Sequence, residues 1–133
     1  MTFQALEESL PNGFHDAQLK TVFIDYVEHQ LTMDLEILVG VPEAIDPDEY
    51  RSATLIATGL YFFIIDPPDA KHPFITKDTP LGVSGDDEWP ASLADLRVGL
   101  NQTNSDFTYH RFFCDDWNSF VYVAAADVQL SWN

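Results

Sequence analysis

Residues 31–39, Leu-Thr-Met-Asp-Leu-Glu-Ile-Leu-Val, carry the clearest pattern in the chain. Leu31, Met33, Leu35, Ile37 and Val39 share one parity, and Thr32, Asp34 and Glu36 share the other. A period of two places the apolar set on one face of a strand and the polar set on the opposite face. That is the mark of an antiparallel sheet with one side wet. Upstream, Thr21–Val27 is rich in β-branched and aromatic residues and predicts a preceding strand, with Glu28-His29-Gln30 as a tight hairpin link. Tyr50–Ile65 is apolar enough for a central strand covered on both faces and bent near Gly59. Phe107–Cys114, the turn Asp115-Asp-Trp-Asn118, and Ser119–Val123 predict a second hairpin, continued by Val128–Trp132 past a kink at Ala124–Ala126.

Between these strands the pattern weakens. Phe3–Leu10 suits one short helical turn, and Pro11-Asn12-Gly13 a chain reversal. Residues 40–49 form an acidic loop with two prolines. Residues 66–90 are rich in Pro, Gly and charge and have no sustained period. A stretch that long is a functional loop or hides a short strand around Phe74-Ile75. Ala91–Leu100 predicts a short helix with Leu93, Leu96 and Leu100 on one face. The expected fold is α+β and mainly antiparallel β. It is a curled sheet, sandwich or half-barrel, of five or six strands with one or two short helices, in a single domain spanning 1–133.

Charge changes the picture more than composition does. Six Lys+Arg against 22 Asp+Glu give a net charge of −16. The acids are spread along the chain, eleven before residue 51 and eleven after it. A field of that sign repels phosphate backbones and anionic lipid, so nucleic acid and membrane are not expected partners. It attracts cations and basic proteins. With 46% hydrophobic and 14% aromatic residues, the chain has ample material for a core and is not expected to be disordered. No run approaches the ~18 apolar residues of a membrane span, and the N-terminus has no basic-then-apolar leader pattern, so a cytoplasmic location is expected.

Candidate chemistry is sparse. Cys114 stands alone in Phe112-Phe113-Cys114, which excludes an internal disulfide and reads as a small buried hydrophobe. His15, His29, His72 and His110 lack metal-ligand spacing, and the acidic loops lack the EF-hand register, so no metal or cofactor is expected. No nucleophile elbow or phosphate-cradling glycine loop occurs, so no catalytic residue is assigned. His15 and Asp16, with Tyr109 and His110, would make a His/carboxylate pocket only if the fold converged them. The favoured surface is a pair of acid–Trp loops, Asp86-Asp87-Glu88-Trp89 and Asp115-Asp116-Trp117. There the acids steer a basic partner and each Trp serves as anchor, unless the rings fold back over the sheet ends.

The segment Phe14-His15-Asp16-Ala17-x-Leu19 with Asp25, together with Ser119–Val123 and Ala126-Asp127-Val128, resembles small bacterial families that include immunity proteins of polymorphic toxin systems. The resemblance covers about the first thirty and last fifteen positions. It implies a small cytoplasmic protein that neutralises a toxin by binding it. The leading functional expectation is therefore a non-catalytic acidic binding protein for a basic partner, such as a nuclease toxin. The alternatives are a homo-oligomeric structural subunit, held by an apolar strip near 60–65 or 120–124, and a small enzyme using the His/carboxylate pocket.

Overall fold

The computed structural model describes residues 1–71, 80–103 and 106–133. Its order is α1 (Phe3–Ser9), β1 (Ala17–Asp25), β2 (Gln30–Leu38), β3 (Tyr50–Ile65), β4 (Leu81–Asp86), α2 (Ala94–Thr103), β5 (Thr108–Cys114) and β6 (Ser119–Trp132). The strands close into a barrel in the order β1-β2-β3-β6-β5-β4, with every pair antiparallel. The curled sheet expected from the sequence thus goes one step further and seals on itself through Ala17↔Val83, Gln18↔Gly82 and Leu19↔Leu81. Closure removes the sheet edges that an open curl would leave there.

The alternation in β2 decides which side is core. Leu31, Met33, Leu35 and Ile37 are all buried. Across β1 and β3, Leu35 faces Leu19 and Ala53, Met33 faces Val22 and Leu55, and Leu31 faces Ile24 and Ala57. Ala53 and Ala57 on the wall of a narrow barrel leave room for the long side chains beside them, the small-with-large filling such interiors use. Burying each Leu, Met or Phe contributes roughly 1.5–3 kcal/mol by transfer from water.

Two irregularities shape the barrel. The β1 register shifts between Leu19 and Thr21. Lys20, in the gap, pairs with Glu36 at 2.8 Å. In β3 the bend falls at Gly59, where φ is +62° and a side chain would come within 2.7 Å of Ala126 Cβ. Beyond Gly59 the strand leaves β2 and runs beside β6 alone. The irregularity expected at Ala124–Ala126 therefore sits opposite, in β3; β6 continues without interruption because its alanines accommodate that bulge.

A second cluster lies outside the barrel. Tyr109, Tyr122 and Ala124 are buried beneath Trp89, Leu93 and Leu100, with Phe62 and Ile64 packed alongside. The 3₁₀ turn Ala91–Leu93 and α2 provide this cover. Leu96, expected on the same face, is exposed instead. The 3₁₀ entry, with three residues per turn, changes the helical phase set by Leu93. β4 lies in the stretch where the sequence pattern offered a loop, and the strand expected around Phe74-Ile75 falls outside the described residues.

Candidate functional site

Helix α1 plugs one end of the barrel. Thr2 starts it, its hydroxyl accepting the Ala5 N–H at 3.0 Å, and Phe3 and Leu6 point inward. The Phe3 N–H, left over by the helix, donates to the buried Thr108 hydroxyl at 2.7 Å. Gly13 takes φ +54° in the turn that follows, and Phe14 enters the interior. These elements surround His110 of β5, which is fully buried. Its ring stacks on Phe3 at 5.0 Å, meets Phe112 edge-on at 4.7 Å and lies 5.3 Å from Phe14.

His110 Nδ1 is 2.8 Å from Asp87 Oδ1, while Nε2 is buried against β4 with no partner among the described residues. A side chain at Gly85 would overlap Nε2, so this strand position admits the imidazole only because it is glycine. Glu7 completes the group: one ligand atom each from Glu7, Asp87 and His110 lie within 4.8 Å of one another. Burial pushes the Glu7 carboxyl above the usual carboxylate range. His110 pulls it back, and the nearby Asp87 adds to the rise. Next to this group Arg111 is already committed, donating to Asp86 at 2.9 and 2.8 Å and to Glu88 at 3.0 Å. Against its own burial, Asp86 is held low by Arg111 and by the Glu88 N–H.

The acid–Trp surface therefore takes a different form from the one the sequence suggested. Asp86, Asp87 and Glu88 are exposed, but each carboxylate bonds a basic side chain of β5. Trp89 stacks on Tyr109 at 3.8 Å and lies under Arg97 at 5.5 Å, half-buried on the outer wall. Asp115, Asp116 and Trp117 occupy the β5–β6 turn, and Trp117 is half-buried against the barrel core. The two rings thus pack against separate apolar clusters and are not a shared exposed anchor. Burial, Asp16 and Asp116 push the Asp115 carboxyl up, against a pull from His15. Burial, with Asp16 and Asp48, likewise raises the Tyr50 hydroxyl, which donates to the Asp16 carbonyl at 3.0 Å.

The His/carboxylate pocket expected from His15, Asp16, Tyr109 and His110 does not assemble. His15 and Asp16 pair with each other at 3.0 Å on the surface. Tyr109 and His110 are consecutive in one strand and so point to opposite faces, Tyr109 outward to Trp89 and His110 inward. Burial raises the Tyr109 hydroxyl far above its ordinary value, and the hydroxyl donates to the Glu88 carbonyl at 2.9 Å. Cys114 is buried, and its thiol is pushed up to about 11, mainly by desolvation.

The opposite end is a mouth. Past Gly59, the inward-facing Phe63 and Ile65 of β3 stand across from Val22, Ile24 and Tyr26 of the β1–β2 hairpin, lining an apolar groove of about 490 Å³. A second hollow of about 360 Å³ continues along Asp25, His29 and Leu60–Phe63. Exposure is high for apolar side chains: Phe23 is 66%, Tyr26 78%, Val27 86% and Ile65 57% exposed. Sequence reasoning named the 60–65 strip but not its β1 counterpart. The exposed run Tyr26-Val27 on a hairpin tip was the signal that pointed to it.

Among the described residues no helix is long and apolar enough to cross a membrane. The fold and its two ends define the class: a closed six-stranded antiparallel barrel with one plugged end and one apolar mouth. No family model, curated protein or solved structure matches the chain.

Proposed function

We propose that this chain is a non-catalytic binding protein for a basic protein partner, in the manner of an immunity protein that neutralises a basic toxin. The observation that carries this reading is the exposed apolar mouth set in a strongly acidic molecule. Val22, Ile24, Tyr26, Phe63 and Ile65 offer a partner side chain an apolar seat, and Asp25, Glu28 and Asp66 lie in or next to that seat in sequence. Specific interfaces are built this way, with an apolar centre for affinity and charge around it for approach and orientation. The anchors are Tyr26 and Ile65 in place of the two loop tryptophans. The placement of four cations supports the same reading, since Lys20 and Arg111 are paired with carboxylates and Arg51 and Arg97 lie over the rings of Trp132 and Trp89.

The same mouth suits a second copy of the chain, but each copy carries −16, and two like fields repel at short range. Self-association is accordingly the weaker reading; light scattering at several concentrations, with and without salt, separates the two. The direct test is capture from the host by the immobilised chain at low salt. A basic protein should be retained, released by salt near 0.5 M because exposed charge pairs are screened, and lost with Ile65→Asp. Recovery of no basic protein at low salt, or equal recovery by Ile65→Asp, overturns the proposal.

A further inference from the structure

The plugged end holds a second feature that the binding function does not use. From the convergence of Glu7, Asp87 and His110 we infer that this chain binds one divalent first-row transition metal ion, of the zinc class, between α1 and the base of β4–β5. The residues come from three elements, and only barrel closure and the helical plug bring them together. One nitrogen and two carboxylate oxygens is a donor set that suits zinc, cobalt, iron or manganese; calcium asks for six or more oxygens and magnesium for water-rich oxygen shells. Charge agrees. With a neutral imidazole the group carries two negative charges, Arg111 is engaged by Asp86 and Glu88, and a divalent ion brings the balance to zero.

Geometry agrees as well. One hydrogen-bonding proton joins Nδ1 and Asp87 Oδ1, which lie 2.8 Å apart. An ion bound at roughly 2.0–2.1 Å to each takes the place of that proton; these two atoms separate by about half an ångström to reach a tetrahedral angle, and the Glu7 carboxylate, within 4.8 Å of them, closes in by rotation of its side chain. The imidazole is fixed by Phe3, Phe14 and Phe112, so binding costs it little rotational freedom. Asp87 is exposed, which gives the ion its way in, and three protein ligands leave a coordination position for water or a partner's side chain. Ligation through Nδ1 leaves the ring proton on Nε2, buried against Gly85 without a partner. That cost weakens the site about 10–100-fold relative to one whose second ring nitrogen is satisfied.

The test is calorimetric titration of the chelator-treated full chain with Zn²⁺ near 0.15 M salt, with Co²⁺ absorption as the second readout. One equivalent should bind with a micromolar Kd, and Co²⁺ should show the visible bands of a four- or five-coordinate site. Glu7→Gln and Asp87→Asn keep the shape of side chains at the rim, and circular dichroism checks their fold; each should weaken binding at least 10-fold. Asp115→Asn and Asp116→Asn should leave it unchanged. Absence of binding, or several weak equivalents that persist in Glu7→Gln and Asp87→Asn, means diffuse attraction to an acidic surface and overturns the inference.

Discussion

Both ends of this barrel carry aromatic and aliphatic side chains and use them in opposite ways. At the plugged end Phe3, Phe14 and Phe112 are fully buried around an imidazole, and helix α1 excludes water. At the mouth Tyr26 and Ile65 face solvent, at the tip of the β1–β2 hairpin and the end of β3. Hydrophobicity of the segment does not decide the outcome; what matters is whether another element arrives to cover it. Gly59 turns the far half of β3 away from β2, and among the described residues no element covers the inner face of the hairpin tip.

That contrast is sharpest in stability. Phe112→Ala should cost about 3–5 kcal/mol, because removing a fully buried ring loses its transfer energy and leaves a cavity. Denaturant unfolding reads it directly, and a loss below 1 kcal/mol would mean that the plugged end is not packed as described. Thr108→Val removes the acceptor of the Phe3 N–H while conserving shape and should cost about 1–3 kcal/mol, the penalty of a buried donor left alone. At the mouth, Tyr26→Ser should change stability by no more than about 0.5 kcal/mol, since the side chain is already in water.

Titration divides the molecule along different lines. Glu7 has its carboxyl raised, chiefly by burial, so the folded state holds its proton more tightly than the unfolded chain. Its burden on stability is full above the raised value and lifts as pH falls to the ordinary carboxylate range. Glu7→Gln should therefore raise Tm at pH 7 in metal-free buffer and have a smaller effect near pH 4. Asp34 runs the other way: hydroxyls of Thr21 at 2.7 Å and Thr54 at 3.1 Å hold it low. Its contribution is present above the ordinary Asp value and is lost as pH falls through the depressed one. Asp34→Asn should flatten the acid limb of the stability curve slightly, the smallest of these effects because the side chain is solvent-screened.

Much of the fold was legible because the strands advertise themselves locally. Leu31–Val39 alternates, Tyr50–Ile65 is densely apolar, and the β5–β6 hairpin is marked by its turn, where Asn118 takes φ +46°. β4 was not legible, for a reason that can be named. Leu-Gly-Val-Ser-Gly-Asp has two glycines where a strand would show β-branched residues; Gly85 is cut back for the His110 ring, and Gly82 leaves room for the Asp115 carboxylate. Without β4 the closure was invisible, and with it the meeting of Glu7, Asp87 and His110, which are far apart in sequence. Trp89 and Trp117 misled for a related reason. A Trp beside acids in a loop reads the same whether it reaches outward or folds back, and only the neighbouring Tyr109 face or barrel core settles which.

The lone thiol has a practical corollary. Cys114 is buried in the wall and, with its proton held up to about 11, is a poor nucleophile at neutral pH. A cysteine placed at Tyr26 or Val27 would thus be the one sulfur that maleimide reagents reach quickly. The native chain is a ready background for a single fluorophore or spin label on the hairpin rim, where occupancy of the mouth would register as a change in probe mobility.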